Sequence, residues 1–132
     1  MSALETQVGG SHYKSLKIQP VEAWLANDLG PVEASCLKYL TRWREKGGVE
    51  DLRKVQHFIE ILLEHVERTG TPLRRQNLMI TARQYCEANG VGDAEQEIID
   101  YLFRWRDSGI RMLRAAGTCI EYLIATESLP VQ

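Results

Sequence analysis

An all-α fold of about six helices, arranged as two tandem three-helix repeats, is predicted by three observations on this chain. Apolar residues recur at helical spacing over long stretches, and no stretch shows the strict alternation of a half-buried strand. Glycine and proline punctuate those stretches at intervals that suit helix ends. The third observation is an internal duplication: Tyr39-Leu40-Thr41-Arg42-Trp43-Arg44 returns 62 residues later as Tyr101-Leu102-Phe103-Arg104-Trp105-Arg106. Upstream, Ala26-Asn27 matches Ala88-Asn89 and Glu33 matches Glu95; downstream, after a one-residue deletion, Leu52-Arg53 matches Leu113-Arg114 and Ile59-Glu60 matches Ile120-Glu121. Two copies are too few for a solenoid, so two packed halves related by a pseudo-twofold axis are expected.

Taken in order, residues 1–15 are polar and contain Gly9-Gly10. The triplet His12-Tyr13-Lys14 either folds back over a site or forms a solvent-exposed arm. Pro20 suits the first turn of a helix, where its missing N–H costs nothing. Residues 21–28 then carry Trp24 and Leu25 toward a core, and Gly30-Pro31 separates this helix from the next. The second helix is expected over 32–46, with Val32, Cys36, Leu37, Tyr39, Leu40 and Trp43 on a wide apolar stripe. Gly47-Gly48 stops it. A third helix starts at Val49 or Glu50, its acidic first turn suiting the positive end of the helix dipole. Arg68-Thr69-Gly70-Thr71-Pro72 reads as a linker, and the second copy follows with helices near 78–88, 93–108 and 110–126.

At 132 residues one compact domain is expected, with a first repeat at 8–68, a linker at 69–77 and a second repeat at 78–127. The formal charge of −2 argues against a general nucleic-acid binder, although a local basic pocket for a small phosphate ligand stays compatible. Cys36, Cys86 and Cys119 are widely spaced in apolar helical contexts, which suits small buried residues in a reducing compartment rather than a disulfide or zinc framework. No run approaches a membrane span and the N-terminus has no signal-peptide pattern, so a cytoplasmic protein without membrane contact is expected.

Comparison of the copies separates what the fold needs from what only one copy carries. Shared are the Tyr-Leu and Arg-Trp-Arg residues of the second helix, assigned mainly to packing, with the tryptophans as core or interface anchors. Confined to the first copy are Lys38 (Asp100 in the second), Lys46 (Ser108), Asp51 (Met112), Lys54 (Ala115) and His57 (Thr118). Lys38, Arg42 and Lys46 fall four apart and would form one ridge on a helix, suited to a phosphate or equally to solvent. Neither a P-loop, a His-Glu-x-x-His nor a Cys-x-x-Cys is present. Glu95, Glu97 and Asp100 read as a solvated acidic face.

Val8-Gly9-Gly10-Ser11-His12-Tyr13-Lys14, Ile18-Gln19-Pro20-Val21-Glu22, Leu37-Lys38-Tyr39-Leu40-Thr41-Arg42 and the run from Gly48 to Phe58 recur in this order in a small phage-borne family, SaV-like or DUF3310, which the first copy therefore resembles. The resemblance covers residues 8–66; the second copy looks like a diverged repeat lacking the signature polar residues. The family includes a phage nucleotide kinase that phosphorylates deoxynucleoside monophosphates without a recognisable P-loop. What the resemblance implies is a nucleotide-metabolism protein of the phage-infected cell, using ATP or another nucleotide and magnesium. Phosphoryl transfer is mostly positioning and charge neutralisation. On that basis Lys14, Lys38, Arg42, Lys46 and Lys54 would clamp phosphates, His12 and His57 would donate to them, and Tyr13 or Tyr39 would lie against a base. Lys38 and Asp51 are the expected catalytic pair, with Asp51 holding magnesium or orienting the acceptor. The competing expectation is a non-catalytic protein that sequesters a nucleotide or docks on a host protein. Single-copy members would need a dimer to build what this chain makes by fusion; further self-association into a homo-oligomer, through exposed stripe residues, is a separate expectation.

Overall fold

A computed structural model describes residues 2–7, 13 and 15–129 of the chain. Among them there are six α-helices and no strand: α1 (Pro20–Asn27), α2 (Pro31–Arg42), α3 (Gly48–Thr69), α4 (Ala82–Asn89), α5 (Asp93–Ser108) and α6 (Ile110–Glu127). A short 3-10 helix, Ala3–Glu5, precedes them. None of the helices is long and apolar enough to cross a membrane.

Helix ends follow local chemistry. Pro20 and Pro31 open α1 and α2 where their lack of an N–H is harmless. Thr81 caps α4, its hydroxyl accepting from Gln84 N while Gln84 Oε1 accepts from Thr81 N. That cap sets the start of α4 at Ala82, later than the expected 78, and leaves residues 78–81 outside the helix. Asp28, rather than Gly30, takes the left-handed conformation that ends α1. Helix α2 stops at Arg42, and residues 43–47 form turns, with Glu45 N and Lys46 N both donating to Arg42 O. The expected ridge is thereby shortened, because Lys46 lies beyond the helix in the turn. Gly48 closes that turn at φ 59°, a conformation side chains resist.

One hydrophobic core draws on all six helices. α2 packs on α3 and α5 on α6 as helical hairpins; the hairpins meet through α3 against α6 and α2 against α5, while α1 and α4 lie on α2 and α5. Trp43 and Trp105 are both buried, as are Cys36 and Cys86, with Cys119 partly so. Trp24 and Leu25 do not enter the core: they are 42% and 75% exposed, whereas Ala23 and Asn27 are the buried residues of α1.

Polar contacts between the copies are reciprocal. Asn27 Nδ2 donates to Ile80 O at 2.7 Å and its Oδ1 accepts from Ile80 N at 2.9 Å. Sixty-two residues on, Asn89 Nδ2 donates to Ile18 O at 2.7 Å and its Oδ1 accepts from Ile18 N at 3.0 Å. Each asparagine ends the first helix of its own copy and clamps the chain just before the first helix of the other. Glu33 binds Arg106 at 2.7 Å and Glu95 binds Arg44 at 3.0 Å, again equivalent residues with their roles exchanged. The expected linker is also tied down: Arg74 N donates to Arg106 O, and Gln76 Nε2 donates to Asn27 O.

Asn27 is buried and serves two backbone groups, so Asn27→Ala leaves both without that partner and should lower the unfolding free energy by about 2–3 kcal/mol, measured by urea denaturation. Burial pushes the Cys36 thiol well up and that of Cys86 up to about 12. Both should therefore resist iodoacetamide at pH 8 until the protein is unfolded, with Cys119 the first to react, as read by peptide mass mapping.

Candidate functional site

Asp51 occupies the first turn of α3 and is 1% exposed. Its carboxylate accepts from Arg42 at both oxygens, Nε to Oδ2 at 3.0 Å and Nη2 to Oδ1 at 3.3 Å, and Lys54 Nζ lies 3.6 Å from Oδ1. The carboxylate bond is the main reason the Arg42 guanidinium is held above its ordinary pKa. A Cβ on Gly47 would sit 1.9 Å from the Asp51 carboxyl, so the glycine before the helix makes room for this side chain.

Tyr39 lies at the centre of the charged group. Lys38 Nζ is 4.9 Å from its ring centroid, Arg42 Cζ 4.9 Å and Lys54 Nζ 5.2 Å, and the Phe58 ring stacks beside it at 6.4 Å. An aromatic face attracts cations, which explains how three can gather about one ring. Tyr13 approaches the group from the N-terminal arm; burial raises its phenol pKa, against the opposing influence of the neighbouring Arg42.

Lys38 and Tyr13 also line a cleft of ≈ 280 Å³ between the arm, α1 and α2, with Val21 and Trp24 on its α1 wall. Trp24 is pinned there by its indole N–H, which donates to Leu29 O at 2.9 Å. Thr41 hydroxyl meets the Tyr85 hydroxyl at 2.7 Å, a contact from the second copy beneath the first.

The structure thus brings Tyr13, Lys38, Arg42, Asp51 and Lys54 together around Tyr39. It does not bring in Lys46, which is exposed in the turn, and His57 is exposed on α3 a turn beyond Lys54. His12 and Lys14 lie outside the described residues. Tyr39 lies among cations, and the large open aromatic surface of the cleft is that of Trp24, which spacing alone had assigned to the core. A signal existed: the residues after Ala23 are Trp24-Leu25 in the first copy and Cys86-Glu87 in the second. The solvated acidic face is corrected at Glu95, which is buried against Arg44.

In the second copy Met112 stands for Asp51, and Arg104 turns to Asp100 at 3.2 Å, the residue that replaces Lys38. The α5–α6 hairpin forms without the buried Arg–Asp pair. No group of three or more His, Cys, Asp or Glu residues suited to a metal ion occurs among the described residues. Comparisons of the chain with protein-family models, curated proteins and solved structures give no match.

Gly47→Ala should cost about 1–3 kcal/mol through overpacking against Asp51. In an Asp51→Ala background most of that cost should disappear, since φ at Gly47 is −96° and alanine adopts it freely. A double-mutant cycle by chemical denaturation checks this; equal costs in both backgrounds would mean that the Asp51 carboxylate does not fill the space beside Gly47.

Proposed function

We propose that the first copy binds a nucleoside monophosphate and acts on it as a nucleotide-kinase-like phosphotransferase of phage nucleotide metabolism. The observation carrying this reading is the cationic group around Tyr39, present in one copy and dismantled in the other although both hairpins fold. Among the described residues, Lys38, Arg42 and Lys54 against Asp51 leave an excess of two positive charges. A phosphomonoester carries about −1.5 to −2 at neutral pH, so the charges are complementary.

Lys38 has no carboxylate partner in the group and stands at the rim of the cleft, which suits it to contact the phosphate directly. Arg42 and Lys54 are oriented by Asp51. The aspartate is accordingly a positioning residue in this reading: it fixes the guanidinium plane and the ammonium before ligand arrives, which lowers the ordering cost of binding. In the transfer itself, an oxygen of the bound monophosphate forms a bond to the terminal phosphorus of ATP as the bond to the departing diphosphate breaks. The cations neutralise the charge gathered there. With Asp51 engaged by Arg42 and Lys54, the donor set favours magnesium carried on the nucleotide's phosphate oxygens rather than held in a protein cage.

The same engagement of Asp51 supports the second reading, a non-catalytic nucleotide binder that sequesters its ligand or docks on a host protein, since no carboxylate of the group is left as a base. A turnover assay separates the two. Purified protein with magnesium, ATP and each nucleoside or deoxynucleoside monophosphate should yield new diphosphate by chromatography, reduced at least a hundredfold in Lys38→Ala with helicity unchanged by circular dichroism. Absence of conversion at high protein concentration, with mononucleotide binding retained, would favour the binder.

A further inference from the structure

The cleft beside Lys38 has a counterpart in the second copy, and the two differ in chemistry at equivalent positions. The counterpart is lined by Ala82, Arg83, Glu97 and Asp100, which stand 62 residues beyond Pro20, Val21, Ser35 and Lys38 of the first cleft. Each depression follows from laying the first helix of a copy on its second helix. Its lining does not follow from the fold. On α4 the outward positions carry an Arg83–Glu87 ion pair at 2.8 Å, whereas on α1 the same positions are Val21 and Leu25, with Trp24 between them. The fold accepts charge at the positions of Val21 and Leu25, yet the first copy keeps apolar residues at both; Trp24, whose equivalent Cys86 is buried, is half-open.

We infer that this cleft is a base subsite: it takes the flat heteroaromatic ring of a nucleoside monophosphate against Trp24, with the phosphate directed to Lys38 and the cations around Tyr39. The inference rests on the nucleotide reading above and specifies where the base goes. The ring of Trp24 is held in place by its bond to Leu29 O, so a stacking face is present before ligand binds and costs little further ordering. Val21 and Pro20 complete an apolar wall. On the α2 side the Ser35 hydroxyl donates to Pro31 O at 2.9 Å, which leaves its oxygen lone pairs to accept from an exocyclic amino group. Lys38 is common to the cleft and to the Tyr39 group, so one ligand can span both, base toward α1 and phosphate toward α3. The second cleft, with Glu97 and Asp100 in place of Ser35 and Lys38, repels the same ligand, giving one site per chain.

Calorimetric titration of the full chain with a nucleoside 5′-monophosphate and, separately, with ribose 5-phosphate tests the assignment. Stacking of a base on an aromatic side chain is worth roughly tenfold to a hundredfold in affinity. Trp24→Ala should weaken the nucleotide by that factor and leave ribose 5-phosphate unchanged, whereas Lys38→Ala should weaken both. Val21→Arg, which installs the second copy's residue on a surface position, should likewise weaken only the nucleotide. Because Trp43 and Trp105 are buried, quenching of tryptophan emission by the nucleotide should come from Trp24 and vanish in Trp24→Ala. Unchanged nucleotide affinity in both Trp24→Ala and Val21→Arg would overturn the base subsite and leave the phosphate site standing. Wild-type protein that binds neither nucleotide nor ribose 5-phosphate would overturn the subsite together with the nucleotide reading.

Discussion

Two buried carboxylates govern how the halves of this chain meet. Glu33 and Glu95 sit in the first turns of α2 and α5, each 2% exposed, where the positive end of the helix favours their charge. That alone does not offset the cost of burying a carboxylate, which runs to several kcal/mol unless a partner is supplied. In both cases the partner is an arginine of the other copy, Arg106 for Glu33 and Arg44 for Glu95. Neither repeat neutralises its own glutamate in this arrangement, so docking of the copies and charge burial occur together. The glycines before these helices serve the same end: a Cβ on Gly30 would come within 2.7 Å of the Glu33 carboxylate and 2.9 Å of Arg106.

The duplicated Arg-Trp-Arg motif divides its labour accordingly. Its tryptophan packs in the core, and its second arginine lies over that ring, at 4.3 Å in one copy and 4.5 Å in the other, before reaching across to the opposite glutamate. The exchange is not perfect. Trp105 also donates to Glu33 at 3.2 Å, whereas the indole N–H of Trp43 is buried without an acceptor among the described residues. The first arginine of the motif stays within its own copy, and there the copies part: Arg42 holds Asp51, while Arg104 holds Asp100.

This divergence bears on function because it provides a control inside one molecule. A buried ion pair is weak evidence for stability, since apolar residues of similar size often serve as well. Met112 in the place of Asp51 is such a replacement, and the hairpin around it is intact. Asp51 and the cations gathered about Tyr39 are thus not required for a hairpin of this kind, whereas the glycine at Gly47 recurs as Gly109 in the second copy. Val21 and Leu25 likewise stand where the second copy carries the charged Arg83 and Glu87, and the half-open Trp24 stands where it carries the buried Cys86.

Sequence by itself determined the helical class, the order of the six helices, most of their ends and the apolar stripes, because periodicity and the preferences of glycine and proline act within a few residues of chain. It also showed which polar residues belong to one copy, and five of those expected at the site, Tyr13, Lys38, Arg42, Asp51 and Lys54, do gather around Tyr39. The tertiary structure decided the rest. That Lys46 leaves the ridge depends on where α2 gives way to the turn; that Glu95 is buried and Trp24 open depends on which helix faces are covered by the other copy. Asn27 and Glu33, present in both copies, were visible as repeated residues, but their partners lie 53 and 73 residues away and are chosen only when the halves dock. Contacts of that range leave no local pattern, because nothing in the spacing of one segment records the face of another that will cover it.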